Sequence, residues 1–349
     1  MFPKYDDVGS FPLPNNIDRE AFKQFYWTAY KGLVNKSDIF GHRGINNYFI
    51  QPFLNSFKLK LKAGVEIINF PQQMDIYNQF LKPISDYEIE PGLISPDKAY
   101  ILEMIVLSNY AREYYETEKK PLEVKMCITG PLELYLKNHG FTIYVDMALN
   151  YARSINSYLK NSIINNEYIK TPLISIDEPS LGYVDMANVS NDEIIQIFDK
   201  SLEGINSTSQ IHLHTLNLAS VALQTSNIDV LTCEYASDKT NKIPKKELDQ
   251  YDKFMRVGIT RTNINSIMAE ALDSGMDYDK INTYEGTMSL IDSEERIEKN
   301  LKDALNHYGD RLKYVGPDCG VASWAPPQIA FELLSRTGKV IQHVKETSH

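Results

Sequence analysis

The chain has 349 residues, 43% hydrophobic and 23% charged, with a net charge of −10. This composition is ordinary for a globular protein, and the length suits one large α/β barrel or two ordinary domains. The acidic balance disfavours nucleic acid and anionic membranes as partners, and no run of about 18 apolar residues reads as a membrane span. The N-terminus carries no basic-then-apolar leader, so a cytoplasmic location is expected. Three cysteines, Cys127, Cys233 and Cys319, lie far apart and argue for reduced thiols rather than disulfides.

The first expected strand is DDVGSF (6–11), followed by a Tyr-, Phe- and Asn-rich insert (12–63) that reads as helices near one barrel mouth. Further strands are expected at GVEIINF (64–70), EVKMCIT (123–129), PLISID (172–177), QIHLHT (210–215), IDVLTCE (228–234), FMRVGIT (254–260) and LKYVGP (312–317). Most are rich in Val, Ile and Leu, as strands buried on both faces should be. Amphipathic helices are expected between them. One covers 142–163, one covers 191–205 with an Asn191 cap, and one covers 293–310 with a Ser293 capping box and Gly309 as its stop. A last helix, 328–344, closes the chain.

Repeated strand–helix alternation predicts a parallel sheet closed into a (β/α)8 TIM barrel, one domain over 1–349 with a helical insert at about 12–63. An open doubly wound sheet is the second choice. No Gly-x-Gly-x-x-Gly follows any strand, so a dinucleotide site has no support. The basic stretch NKIPKK (241–246) reads as a solvated loop more readily than as a basic pocket.

In such barrels the chemistry sits at the C-terminal strand ends. Here those ends read GSFP, TGP, DEP, HLHT, CE and GPDCG, so Ser, Thr, Asp, His, Glu and Cys gather on one rim. His214, Glu234 and Cys319 are the metal-capable subset, and three protein ligands would leave one coordination position open. The plainer alternative is a hydrogen-bonded His, an exposed Glu and a buried free thiol. Asp177 can hold an ammonium or act as a general base, or it can serve as a helix-capping acid. Gly9–Ser10 and Thr129–Gly130–Pro131 read as tight turns whose backbone approaches a ligand.

The ordered set VGSFP, ITGP, IDEP, IHLHT, CE and PDCG…W resembles the catalytic barrel of cobalamin-independent methionine synthase, in its single-barrel form. The wider superfamily includes uroporphyrinogen decarboxylase and corrinoid-dependent methyltransferases. The resemblance spans nearly the whole chain. It implies a zinc ion that binds the sulfur of homocysteine, lowers its pKa and leaves it nucleophilic toward a methyl donor. The donor would be methyltetrahydrofolate or a corrinoid carried by a partner protein.

The family ligand pattern, His-x-Cys, then Glu, then Cys, falls on His214, Leu216, Glu234 and Cys319. By the same resemblance Gly9 and Ser10 hold the amino acid's carboxylate and Asp177 its ammonium. Thr129 and Trp324 line the substrate pocket, and Asn265 stands where a histidine acts on the leaving group. Three positions depart from the pattern. Leu216 replaces a cysteine, Phe70–Pro71 replaces Glu-Pro, and Asn265 replaces that histidine.

Two residues could replace the lost sulfur. Cys233 neighbours Glu234 and points to the opposite strand face unless a bulge re-aims it. His212 shares a face with His214, with Cα atoms separated by about 6–7 Å of strand rise. The metal set is therefore His214, Glu234 and Cys319, with or without His212. A second function fits the departures: an accessory barrel that lost part of its zinc site and pairs with an intact one. A third, a metal-free decarboxylase-like barrel, would need Arg256 and Arg261 free at the rim to hold carboxylates.

Overall fold

The structure, a computed structural model, describes residues 2–347. Its strands are β1 (Lys4–Tyr5), β2 (Ile68–Asn69), β3 (Leu122–Thr129), β4 (Ile169–Asp177), β5 (Thr208–His212), β6 (Val230–Cys233), β7 (Phe254–Thr260) and β8 (Leu312–Pro317). They form one eight-stranded sheet in the order β1-β8-β7-β6-β5-β4-β3-β2. Every neighbouring pair is parallel, and the sheet curls into a TIM-barrel-like fold.

The two edge strands approach each other. Tyr5 carbonyl accepts from the N–H groups of Glu66 and Ile67 at 3.0 and 3.1 Å. Isolated parallel bridges join Asp6 to Ile67 and Ser10 to Gln72.

Helices flank the sheet because their apolar residues recur at helical spacing. Val145–Ser162 buries Ala148, Tyr151, Ala152, Ile155 and Leu159 along one stripe. The insert after β1 folds into helices Arg19–Val34 and Gln51–Lys62, as its aromatic content suggested. Among the described residues, no helix is long and apolar enough to cross a membrane.

Several expected boundaries move, each for a local reason. The first strand is Lys4–Tyr5, not 6–11; past Tyr5 the pairing continues as isolated bridges at Asp6 and Ser10, broken by the positive φ of Gly9. The fifth strand stops at His212, not 215, because the N–H of Leu213 goes to Thr232 Oγ1 at 2.9 Å. Ser190, not Asn191, caps the helix Asn191–Ser201, and it forms a capping box with Glu193. Ser293 caps Glu294–Tyr308 alone, because Arg296 occupies the third helical position. A small antiparallel hairpin, Glu88–Glu90 with Leu93–Ile94, was not anticipated.

The barrel interior below the rim is charged. Asp6 accepts from Arg256 Nε at 2.8 Å, Lys125 Nζ at 2.9 Å and Gln210 Nε2 at 3.1 Å. Lys60, from the insert, donates to Asp7 at 2.6 Å and to the Gly9 carbonyl at 2.5 Å. Losing one partner of such a buried pair costs about 3–5 kcal/mol, since it strands the other charge. Arg256 is therefore buried under the rim, with its Nε paired to Asp6. Arg261 is held by Asp292 at 2.8 Å and Glu270 at 2.7 Å. Arg256 is fully buried with its Nε on Asp6, and Arg261 is largely buried between two acids, so neither is exposed at the rim and the decarboxylase-like alternative loses support.

Candidate metal centre

Four side chains meet at the C-terminal strand ends. His212 closes β5, His214 follows it, Glu234 follows β6, and Cys319 follows β8. One ligand-capable atom from each of these four lies within 4.8 Å of the others. Cys319 Sγ is 3.6 Å from His212 Nε2 and 3.8 Å from His214 Nε2. Glu234 Oε1 is 3.4 Å from His214 Nε2. The two imidazoles stand nearly perpendicular, at 81°.

The electrostatics show what the cluster lacks. Burial, with Asp318 nearby, pushes the Glu234 carboxyl up to about 8. Burial and Glu234 push the Cys319 thiol up to about 12. Burial holds His212 well below the usual imidazole range, and His214 and Arg256 add to that; burial also lowers His214. Both shifts disfavour the charged forms, so burial works against an ion pair at the His214–Glu234 contact. A neutral imidazole pair, a carboxylate and a thiol that all resist charging alone are what a dication would reorganise. The donor set fits zinc, which takes N, O and S ligands together.

The surrounding loops are clamped. Thr232 Oγ1 lies 3.4 Å from His212 Nδ1, so the ring's far nitrogen has a neighbour and Nε2 faces the cluster. Asn241 brackets the His214 loop, donating to the His214 carbonyl at 2.8 Å and accepting from Leu216 N–H at 3.0 Å. The stretch read as a solvated basic loop thus supplies a support for the centre. Cys319 N–H donates to Thr262 Oγ1 at 3.0 Å, and Trp324 Nε1 donates to the Thr262 carbonyl at 2.8 Å.

The remaining candidates fall in different places. Leu216 is buried in the main apolar core, and Cys233 is buried beside Tyr308, outside the cluster. The strand alternation that separated Cys233 from Glu234 holds. Asp177 sits in register with His212 and Thr129 on the adjacent strands, and burial pushes its carboxyl up to about 7. Ser175 Oγ donates to it at 3.0 Å. Its neighbour Glu178 is the helix-capping acid, accepting from the N–H groups of Leu132 and Glu133 at 3.0 and 2.9 Å. A Cβ on Gly130 would overlap that carboxylate, which explains the glycine of the TGP turn.

Gly9 and Ser10 reach the centre through Gly320, whose missing Cβ makes room for the Ser10 hydroxyl. Thr129 spends its hydroxyl on the Ile76 carbonyl at 2.7 Å, and Trp324 is fully buried, with its N–H taken by Thr262. Both read as supports of the rim in this structure. Asn265 is exposed on the first turn of helix Ile264–Asp273. Glu133, buried and bonded to Tyr77 at 2.6 Å, is an acid near Asp177 and His214 that the sequence did not single out.

A barrel rim bearing a His–His–Glu–Cys cluster defines the class: a TIM-barrel-like protein with a candidate metal centre. No family model matches the chain. It is 23% identical over 268 residues to a methionine synthase of Sulfurisphaera tokodaii, covering 75% of this chain and 68% of that one. It is 22% identical over 244 residues to a methionine synthase of Sulfolobus acidocaldarius, covering 68% of this chain and 59% of that one. In fold it matches a B12-independent methionine synthase from a Shewanella species, solved with selenomethionine, at a TM-score of 0.63 and 15% identity over 99% of both chains. The resemblance carried by the motif order is matched in the comparisons: the chain is similar in sequence to methionine synthases and similar in fold to a B12-independent methionine synthase.

Proposed function

We propose that the chain is a zinc-dependent methyltransferase that methylates the thiol of homocysteine, on a closed (β/α)8 barrel forming a single domain. One observation carries the reading: His212, His214, Glu234 and Cys319 converge within 4.8 Å where a barrel places its chemistry. The relatives' activity supports the choice of reaction, and the bridges between β1 and β2 support the closed barrel.

The four side chains would hold the metal, with His212 in place of the sulfur lost at Leu216. Bound there, zinc would supply an electrophile that makes a substrate thiol ionise near neutral pH. The protein's own groups bind and orient the substrate. The Gly9–Ser10 turn receives its carboxylate, and Asp177, ionised above about pH 7, receives its ammonium. Four converging donors favour this reading over an accessory barrel that depends on an intact partner. Metal analysis of purified protein, followed by methionine formation from homocysteine with methyltetrahydrofolate or a methylated corrinoid protein, tests it. No bound metal, and no product with either donor after zinc is restored, would refute it.

A further inference from the structure

A cleft opens at the barrel mouth opposite the metal centre. It encloses about 750 Å³, within the range of small-molecule sites. Its residues lie where strands begin: Lys4 starts β1, Leu122 starts β3, and Gly64 and Val65 lead into β2. The metal centre occupies the other ends of the strands. Leu61, Val65 and Ile68 give the cleft apolar surface, and the helices Gln51–Lys62 and Leu102–Glu118 flank it.

Helical spacing brings two chemistries together here, because residues four apart share a helix face. Lys58 and Lys62 come from one helix, Tyr110 and Tyr114 from the other. Lys58 Nζ lies 4.8 Å from the centre of the Tyr110 ring and 3.4 Å from Glu113, so its charge is already engaged. The two phenol rings are 6.4 Å apart and tilted by 58°. Lys62 and Lys120 pair with no acid among the described residues. The acids of the cleft are mostly spent. Glu123 faces Lys4 at 3.7 Å, and Glu66 accepts from the Tyr5 N–H at 2.7 Å and faces Lys345 at 3.9 Å. That leaves Glu118 against two unpaired lysines. On a chain of net charge −10, such a spot is a local exception that favours anions.

We propose that this cleft is a second ligand site that takes an aromatic anion, a flat ring carrying a phosphate, sulfonate or carboxylate. The ring lies against Tyr114 and the apolar surface beside it, and Lys62 and Lys120 meet the negative group. Barrels of this kind run their chemistry at the other mouth, so a molecule held here is bound and not converted. The inference is independent of the reaction assigned to the metal centre.

Fluorescence titration of the full chain tests it with 8-anilinonaphthalene-1-sulfonate and its uncharged parent, N-phenyl-1-naphthylamine. Neither measurement needs a metal or a methyl donor. The sulfonate is expected to fill one saturable site in the wild type. The double variant Lys62→Ala with Lys120→Ala, at two exposed positions, should weaken it by about fivefold or more, the scale of two exposed charge contacts, and leave the uncharged molecule unchanged. Tyr114→Ala should weaken both by about threefold or more. Equal sulfonate affinity in the wild type and the double-lysine variant overturns the proposal, as does a wild type with no saturable site. Loss of both molecules in the double-lysine variant also overturns it, since the lysines would then only shape the cleft. Full retention of both in folded Tyr114→Ala puts the ring elsewhere and overturns the site as drawn.

Discussion

Ser237 donates to Asp318 twice, through its backbone N–H and its hydroxyl, each at 2.7 Å. Ala236 N–H adds a third bond at 3.0 Å. Asp318 precedes Cys319, and the 236–237 turn follows Glu234, so one carboxylate fixes two of the proposed metal ligands relative to each other. A Cβ on Gly258 would overlap Asp318, so the strand beneath is shaped to admit it. Asp318→Asn is expected to lower zinc affinity by about 10–100-fold, as supports of metal ligands do. Competition with a chromophoric chelator measures this, and an unchanged affinity in the folded variant would deny Asp318 that role.

Restoring the family's cysteine should not restore its ligand. Leu216 is 9% exposed in the main apolar core, and Asn241 fixes its backbone. Leu216→Cys is expected to destabilise the fold by roughly 1–3 kcal/mol through lost apolar burial. Zinc affinity should not rise. Denaturant melts of the apo-protein and chelator competition read the two effects separately. Tighter zinc binding in the variant would show that the 214–216 loop can re-aim this side chain toward the metal.

His212 and His214 should both matter to the metal. His212→Ala and His214→Ala are each expected to weaken zinc binding by more than about tenfold, and Cys319→Ser by more still, because it removes the sole sulfur of the cluster. Normal affinity in His212→Ala would reduce the set to His214, Glu234 and Cys319.

Glu103 gives a pH signature away from the centre. Burial raises its carboxyl from 4.5 to about 7, although it accepts from Gln79 at 3.0 Å and Tyr26 at 3.3 Å. A carboxyl raised in the folded state binds more protons folded than unfolded, so stability falls as pH rises from about 4.5 through 7. The loss from this one group is about 3 kcal/mol at most. Glu103→Gln should remove that part of the slope and leave the variant more stable than wild type at pH 8. Equal wild-type and variant stability at pH 5 and pH 8 would contradict the shift.

The strand ends were legible because parallel strands buried on both faces must be apolar, so the polar residues that stop them stand out. His214, Glu234 and Cys319 emerged that way, and His212 followed from sharing a strand face. The supports were not legible. Asn241 lies in a stretch that reads as solvated, and only the folded chain shows it bracketing residues 214–216. Asp318 was visible inside PDCG, but its partners lie about eighty positions upstream. Whether Arg256 and Arg261 are available was not legible either, because sequence shows a charge near a rim and hides the acid that holds it. The Ser293 capping box failed on a single position, since helices count from the cap and Arg296 takes the third place.

The end of β5 at His212 separates two residues that the sequence presents as equivalent. His212 inherits the stiffness of the sheet, while His214 stands on irregular backbone held by one asparagine. The cluster has one imidazole carried by the sheet and one carried by a loop that Asn241 braces.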